Sequence, residues 1–327
     1  MDINITRRKL IGTTAAGMAV ATAAGQSAVF AQDDKPTIAV GTRPFTEHLL
    51  LGEIVAQLLE NDGFGVDRKF NLGGAAVSQE ALLNGDIHTL VEYTGTALIV
   101  MLGLELPEAG GDATPAATAE AGASPVAGGS RSDQVYEIVK EKYPEEFGLE
   151  MLERWGFNNT YALAMRREDA EERGVTKISD LTDMAGEMSI GTEAEASVRE
   201  DGVPGLEKKY GFEFDDVVTL DPGLMYQAVD EGEVDVITAY STDGRIESMD
   251  LVLLEDDLEF FPPYDAAPVV RQDTLEESPE IRDVLNQLAG KIDDERMTAM
   301  NNQADGEGRE HPDIVREFLI EVGIVEE

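Results

Sequence analysis

The sequence has no cysteine and only one tryptophan in 327 residues. The absence of cysteine excludes disulfides, a thiolate nucleophile, a Cys-based metal site and a lipid-modified cysteine that could hold the chain at a membrane. The three histidines, His48, His88 and His311, lack metal-ligand spacing. The motifs of serine hydrolases, zinc proteases, P-loop proteins and EF-hands are also missing. We therefore expect no enzyme, no cofactor and no metal.

Basic residues are scarce as well, with 25 Lys and Arg against 66 Asp and Glu and a formal net charge of −41. Such a balance lacks the basic patches that nucleic acids and anionic membranes require, so we expect neither as a partner. Net charge informs about solubility and environment rather than about fold. We interpret the acidic composition as an adaptation to high salt, which screens the repulsion between carboxylates.

Long apolar runs are confined to the N-terminus. Residues 1–31 contain the twin arginines Arg7 and Arg8, an Ala/Gly-rich apolar run, and small residues at cleavage spacing around Ala31. This order is typical of a twin-arginine export signal. No later segment has the 18 apolar residues of a membrane span. We expect an exported protein in the periplasm or at the extracellular face of the cytoplasmic membrane, with an uncleaved signal that serves as an anchor as the alternative.

The length suggests two domains, and the periodicity of apolar residues predicts an α/β fold in each half. The first half has predicted strands at 37–41, 64–70 and 87–93 and helices at 46–62 and 75–84. This β-α-β-α-β order indicates a parallel sheet covered by helices. The alternation repeats from residue 160 to 240. A crossover strand in 262–271 and three helices, around 275–290, 293–303 and 312–322, follow.

Residues 107–131 interrupt the alternation. They are dominated by Ala, Gly, Pro, Thr and Ser and have no periodicity. That composition is typical of a flexible surface insertion. A linker between two domains is the alternative. We favour the insertion because the flanking segments continue one unit.

A tyrosine motif occurs once in each half, as HTLVEYTGT at 88–96 and as VITAYSTDG at 236–244. Tyr93 lies eight residues after Gly85, and Tyr240 lies eight residues after Gly232. Both tyrosines end a predicted strand, and ligands of open α/β sheets bind at the carboxyl ends of the strands. We therefore expect Tyr93 and Tyr240 to face a shared crevice, although either one taken alone is also typical of a packing residue.

Two of the arginines, Arg43 and Arg199, lie near the same predicted edges. Arginine is suited to bidentate capture of a carboxylate, and tyrosine rings attract a quaternary ammonium group. Together these groups would complement a zwitterion such as a betaine. An ion pair of Arg199 with one of the many acidic residues is the alternative.

Several blocks of the sequence closely resemble one family. They are GTRPFTEHLLLGEIVAQLLE, NLGGAAVSQEALLNGDI, VEYTGTAL, NNTYALAMR, VREDGVPGLEKKYGF and AYSTDGRI. The family is that of the substrate-binding proteins of ABC importers for glycine betaine, choline and related osmoprotectants, of the ProX/OpuAC-like kind. The resemblance runs from about residue 37 to the C-terminus and is interrupted by 107–131.

The resemblance implies a two-lobed periplasmic-binding-protein fold of type II, in which each lobe is a mainly parallel sheet flanked by helices. Lobe I would comprise 36–158 plus 264–327, and lobe II would comprise 159–263. It also implies a monomer that works with permease and ATPase subunits. The implied ligand is glycine betaine or a related quaternary-ammonium solute. A preference for choline or carnitine, or a sensory role without transport, are the alternatives.

The resemblance also implies which residues bind. The aromatic cage would consist of Tyr93, Tyr161, Tyr240 and Tyr264. The ligand carboxylate would be held by Arg43, Thr96 and Arg199. Some relatives have Lys or Gln in place of Arg43, and some have Phe at the position of Ala196, which here leaves a thinner apolar wall. Tyr226, on a predicted helix, is expected in the core.

Overall fold

The computed structural model describes residues 35–107 and 130–326, so the predicted signal at 1–31 and nearly all of the predicted insertion at 107–131 lie outside the described residues. The described strands are β1 (Thr37–Gly41), β2 (Gly65–Lys69), β3 (Thr89–Tyr93), β4 (Leu149–Met151), β5 (Tyr161–Arg166), β6 (Ser189–Thr192), β7 (Asp216–Thr219), β8 (Val236–Tyr240), β9 (Leu251–Leu254) and β10 (Ala266–Arg271).

The described helices are α1 (Thr46–Asn61), α2 (Ala75–Asn84), α3 (Thr94–Thr96), α4 (Arg131–Phe147), α5 (Arg167–Arg173), α6 (Val203–Tyr210), α7 (Pro222–Asp230), α8 (Arg245–Ser248), α9 (Gln272–Glu277), α10 (Glu280–Asn286), α11 (Asp294–Asp305) and α12 (His311–Glu321). Most of the longer ones follow the apolar periodicity of the sequence. Gly85 ends α2 and Gly211 ends α6 in the left-handed conformation, which glycine adopts without steric cost.

The strands form two five-stranded sheets with the same plan. The first has the order β2-β1-β3-β10-β4 and the second has the order β7-β6-β8-β5-β9. In each sheet four strands run in one direction and the fourth in the order, β10 or β5, runs against its neighbours. The expectation of two lobes, each a mainly parallel sheet flanked by helices, is confirmed. We call the sheet of β1–β4 and β10 with its helices the first lobe, and the other the second lobe.

The chain passes between the two lobes twice, before β5 and before β10. The two passing segments are bridged at Asn158 and Asp265. The Asn159 N–H donates to the Tyr264 carbonyl at 3.2 Å, and the Tyr264 N–H donates to Asn158 Oδ1 at 2.6 Å. The hydrogen bonds fix the two segments side by side. The lobe limits at 158/159 and 263/264 stay a prediction.

Each sheet is covered by apolar clusters on both faces. On one face of the first sheet, α1 contributes Leu50, Leu51 and Ile54, which are fully buried. Burial of side chains of this size contributes roughly 1.5–3 kcal/mol each. α1 is buried on nearly all sides and even encloses Glu53, which Arg68 pairs with at 2.8 Å. This packing fixes the position of the first turn of α1, which lies at the site described below.

Some local expectations are wrong. The sequence pattern favours Thr46, whose hydroxyl suits an N-cap, as the cap of α1, but Phe45 occupies the N-cap position and the Thr46 hydroxyl donates to Asp305 at 2.6 Å. The helix expected at 275–290 is split at Ser278-Pro279, because proline disfavours helical backbone in the residue before it. Four elements were not predicted from the sequence: β4, β9, α4 and α5. The strands and α5 are too short to show a periodic pattern, and α4 begins at the end of the insertion.

Candidate functional site

The four tyrosines assigned to the cage lie at matching edges of the two sheets. Tyr93 ends β3, and Tyr264 lies two residues before β10, whose Ala266 pairs with Tyr93. In the second sheet Tyr240 ends β8 and pairs directly with Tyr161 at the start of β5. An antiparallel strand begins at the edge where its neighbour ends. Each lobe therefore supplies one tyrosine from a strand end and one from a strand start.

The rings of these tyrosines form a continuous cluster. Tyr161 lies 5.4 Å from Tyr240 and 5.5 Å from Tyr264, measured between ring centroids. Phe45 joins the remaining ring, at 5.9 Å from Tyr240 in a parallel arrangement and at 6.5 Å from Tyr93. We call these five rings the aromatic cluster. All five line one cavity of about 870 Å³.

Phe45 was missed by the sequence reasoning. It adopts extended backbone at the N-cap of α1, two residues after Arg43, and so enters the cavity from the loop between β1 and α1. A signal was available: Phe45 lies in the block GTRPFTEH, which follows a strand end.

The remaining tyrosines do not line the cavity. Tyr226 is fully buried in the core, and its hydroxyl oxygen accepts the Tyr240 N–H at 3.1 Å.

Three of the cage hydroxyls donate to carboxylates. The Tyr93 hydroxyl donates to Glu47 at 2.7 Å, the Tyr264 hydroxyl donates to Asp201 at 2.6 Å, and the Tyr161 hydroxyl donates to Glu193. Burial raises the pKa of all three phenols well above its usual value, and the adjacent carboxylates raise it further. The phenols therefore keep their protons and act as donors.

Glu47 is the most enclosed of these carboxylates, with 3% of its surface exposed. Besides Tyr93 it accepts hydrogen bonds from Asn159 at 2.8 Å, Thr242 at 2.6 Å and Asn301 at 3.0 Å. Burial raises the pKa of Glu47, and these donors oppose the rise. Because the donors come from both lobes and from a passing segment, Glu47 joins the two sides of the cleft in the lining of the cavity.

Arg43 lines the cavity and is 6% exposed. Its Nη2 forms an ion pair with the buried Glu92, and its Nε donates to Ser78 at 3.4 Å. Burial lowers the pKa of Arg43, but Glu92, together with Tyr93 and Glu195, raises it overall. A guanidinium has five N–H donors. Arg43 therefore stays charged. Its two contacts do not use all of its N–H donors, and the side chain borders the cavity.

Arg199 also lines the cavity, and it is ion-paired as the alternative interpretation anticipated. Its Nε donates to Asp201 at 2.7 Å, its Nη2 donates to the same carboxylate, and its Nη1 lies 3.5 Å from Glu195. The guanidinium carbon lies 5.9 Å from the centroid of Tyr161. Asp201 thus holds Arg199 beside the aromatic cluster. The ion pair fixes the position of the guanidinium at the cavity and does not withdraw it from the site.

Thr96 and Ala196 complete the residues singled out from the sequence. Thr96 lies in α3 directly after β3, is 3% exposed and lines the cavity. The preceding Gly95 packs so tightly that an added Cβ would lie 2.9 Å from the Tyr264 ring. Ala196 is buried at 1% exposure, and its carbonyl accepts the Val203 N–H at 2.8 Å. All seven predicted binding residues therefore border the same cavity.

A contact across the cleft was also missed. Glu195, in the loop after β6 of the second lobe, accepts the Ala75 N–H at 2.7 Å. Ala75 is the first residue of α2 in the first lobe, where backbone N–H groups lack helical partners and the helix dipole favours a negative charge. The contact holds the two rims together beside Arg199.

The histidines have structural contacts. His48 is fully buried and its Nδ1 accepts the Arg43 N–H at 3.1 Å, while His88 Nδ1 accepts the Ala39 N–H at 2.9 Å. Residues 35–107 and 130–326 contain no cluster of His, Asp or Glu suited to a metal ion. In the same ranges no helix is both long and apolar enough to cross a membrane.

Curated relatives resemble the chain over most of its length. It is 35% identical to the carnitine transport binding protein OpuCC of Listeria monocytogenes over 288 residues, which cover 87% of this chain and 86% of the relative. It is 31% identical to the glycine-betaine-binding protein of Pseudomonas aeruginosa, covering 87% and 88% of the two chains. The names of both relatives describe binding proteins, not enzymes.

A solved structure and a family assignment agree with these relatives. The crystal structure titled glycine betaine/carnitine/choline ABC transporter superposes with a TM-score of 0.67 at 29% identity, over 87% of this chain and 98% of that one. Residues 36–321 match the family described as the substrate binding domain of ABC-type glycine betaine transport systems. The fold, the relatives and this match over most of the chain agree, and the protein belongs to that family of substrate-binding domains.

Proposed function

We propose that this protein captures glycine betaine or a related quaternary-ammonium solute outside the cytoplasm and delivers it to the permease and ATPase of an ABC importer. The observation that carries the proposal is the meeting of tyrosines from both sheets with two arginines around one cavity. Membership of the family and the names of the relatives support the transport role.

In this proposal the cationic head of the solute lies among Tyr93, Tyr161, Tyr240 and Tyr264. Each ring face attracts a desolvated quaternary ammonium by about 0.5–2 kcal/mol. Phe45 adds a fifth ring to the same wall. Because the rings come from both lobes, the cation is fully surrounded only when the lobes approach each other.

The acidic end of the solute would meet Arg43, Arg199 and the Thr96 hydroxyl, which border the same cavity. The ion pairs of both arginines with buried carboxylates fix their orientation before the solute arrives, which reduces the entropy lost on binding. This end of the site favours a zwitterion over choline, which has no carboxylate. The cavity of about 870 Å³ lies in the upper part of the range of roughly 300–1,000 Å³ for small-molecule sites, so carnitine fits as well as glycine betaine.

Calorimetric titration with glycine betaine, carnitine, choline and ectoine in high salt tests the proposal. We expect binding of at least one trimethylammonium solute, with the zwitterions ahead of choline. A sensory role without transport predicts the same binding but no uptake by cells that carry the matching permease. A protein that binds no member of the panel would contradict the proposal.

The cage assignment is tested by Tyr240→Ala, which removes one ring from the cavity. The expected loss of affinity is about 2- to 30-fold, the equivalent of one cation–π contact. Tyr210→Ala is the matched control, because Tyr210 is a buried tyrosine of the same lobe that donates to Asp256 away from the cavity. Equal losses in the two variants would contradict the assignment.

A further inference from the structure

The carboxylates behind the cage hydroxyls differ in how their charge is balanced. Asp201 is paired with Arg199. Within the described residues, neither Glu47 nor Glu193 has a lysine or arginine partner within ion-pair distance. Glu47 instead has four neutral donors. Glu193 lines the cavity and is partly exposed, so it presents an unbalanced negative charge at the wall itself.

Glu193 acts on two rings at once. It accepts the hydroxyl of Tyr161, and together with burial it raises the pKa of Tyr240. Tyr161 and Tyr240 are paired residues of neighbouring strands with ring centroids 5.4 Å apart. One carboxylate thus lies beside the hydroxyl ends of both second-lobe rings.

A phenol that donates a hydrogen bond to a carboxylate gains electron density in its ring while it keeps its proton. The negative potential over the ring face becomes stronger as a result. The carboxylate also attracts a cation directly, and this attraction is stronger in a water-poor cleft than in bulk water. Both effects require a positive charge on the ligand. They give nothing to a neutral group of the same shape, which gains only from apolar contact.

We infer that Glu193 is a specificity-determining residue: by polarising Tyr161 and Tyr240 it makes the cage select a cationic head group over a neutral isostere. The ligand class that follows is one with a permanently charged, alkylated onium centre. The inference rests on the proposed function and assigns the charge selection of the same site to a residue that does not belong to the cage itself.

The test compares two ligands of the same shape, trimethylglycine and tert-butylacetate, in which carbon replaces the charged nitrogen. In Glu193→Gln we expect the affinity for trimethylglycine to fall about five- to tenfold. The affinity for tert-butylacetate should stay constant or rise, because an anionic ligand loses a repulsive neighbour. The ratio of the two affinities therefore falls, which a purely structural role of Glu193 would not produce.

Glu200→Gln is the matched control, since it removes the same charge from an exposed position seven residues away. Its affinity ratio should equal that of the wild type. Tyr161→Phe is a second route, because it removes the hydrogen bond while Glu193 keeps its charge, and it should lower the ratio by a smaller factor. Thermal melting reports whether each variant is folded.

Two outcomes are distinguishable. If the wild type binds trimethylglycine and neither Glu193→Gln nor Tyr161→Phe changes the affinity ratio, the inference is overturned and the proposed function stands. If the wild type binds neither ligand nor any other onium solute, the proposed function fails and the inference fails with it.

Discussion

Glu47 and His48, neighbours in the first turn of α1, are both buried but their pKa values shift in opposite directions. Burial raises the pKa of Glu47, whereas burial and the nearby Arg43 lower the pKa of His48 well below its usual value. His48 therefore stays neutral and keeps Nδ1 free to accept the Arg43 N–H. In the unfolded chain an ordinary histidine gains a proton near pH 6.5, so the unfolded state binds more protons than the folded state below that pH.

The resulting prediction concerns stability in mild acid. As pH falls below about 6.5, His48 should contribute a loss of up to about 1.4 kcal/mol in unfolding free energy per pH unit. His48→Asn keeps an acceptor at a similar position but cannot be protonated, so its stability should fall less steeply between pH 6.5 and 5. Urea unfolding at a series of pH values measures the slope.

His311→Asn is the control for this prediction. His311 lies at the first position of α12, and it is only partly buried. Its replacement removes a histidine without touching the buried contact between His48 and Arg43. If His48→Asn keeps the full slope of the wild type, titration of His48 does not contribute to the acid sensitivity.

Residue identities in the site were partly predictable. The tyrosines stood out because there are only eight and two of them end predicted strands, and Arg43 and Arg199 stood out because they lie in the same recognisable blocks. Glu47, Glu193 and Asp201 could not be singled out, because 66 acidic residues give no contrast and only the fold shows which three meet a phenol. The binding roles of all these residues stay predictions.

Among the elements, α2 and the loop after β6 form a contact that acts only when the lobes are close. Glu195 reaches from that loop to the N–H of Ala75, the first residue of α2. A carboxylate at a helix N-terminus is stabilising by roughly 0.3–1 kcal/mol. This stabilisation is available to the closed arrangement alone and should therefore strengthen ligand binding.

Gly74→Ala tests this contact from the first lobe. A Cβ at Gly74 would lie 1.7 Å from Glu195 Oε1, so the carboxylate has to move away, while the backbone of Gly74, with φ −70°, accepts alanine without strain. We expect about a two- to fivefold loss of affinity for the solute. Isothermal titration measures the affinity, and small-angle scattering of the liganded protein reports closure.

Gly186→Ala provides the comparison, because nothing lies within 4 Å of the Cβ that it adds. It should bind the solute as the wild type does. An unchanged affinity in Gly74→Ala would show that the contact between Glu195 and α2 does not contribute to closure.

At the element scale, periodicity predicted the helices and strands that are long enough to show it, such as α1, α2 and β8. A strand of three residues such as β4 is shorter than one alternation pattern, and its pairing with β10 depends on a partner more than a hundred residues away. No local window of sequence contains that information.

For the whole molecule, the net charge of −41 leads to a prediction about salt. The screening length falls from about 30 Å at 0.01 M salt to about 3 Å at 1 M. If repulsion among carboxylates limits stability, the melting temperature should rise with KCl, and most of the rise should occur below 1 M. Differential scanning calorimetry from low to multimolar KCl measures it.

Sucrose in place of KCl separates screening from general solute effects, because it is uncharged. A melting temperature that stays flat or falls with KCl, or that rises equally with sucrose, would contradict the interpretation of the acidic composition as an adaptation to high salt.

The two-lobed plan was predictable because the β/α alternation occurs twice and the family resemblance spans both halves. The order of the strands was not, since a sequence does not state that β10 lies between β3 and β4.

The place of β10 has a consequence for how the chain is made. The second sheet is built from consecutive strands, β5 to β9, and can assemble as soon as residues 161–254 have left the ribosome. The first sheet has to wait for residues 266–271, and until then β3 and β4 present open edges that invite aggregation. A chain that ends before residue 266 therefore has all the strands of the second sheet but an incomplete first sheet with exposed strand edges. We expect the second lobe to fold before the first, although it is synthesised later.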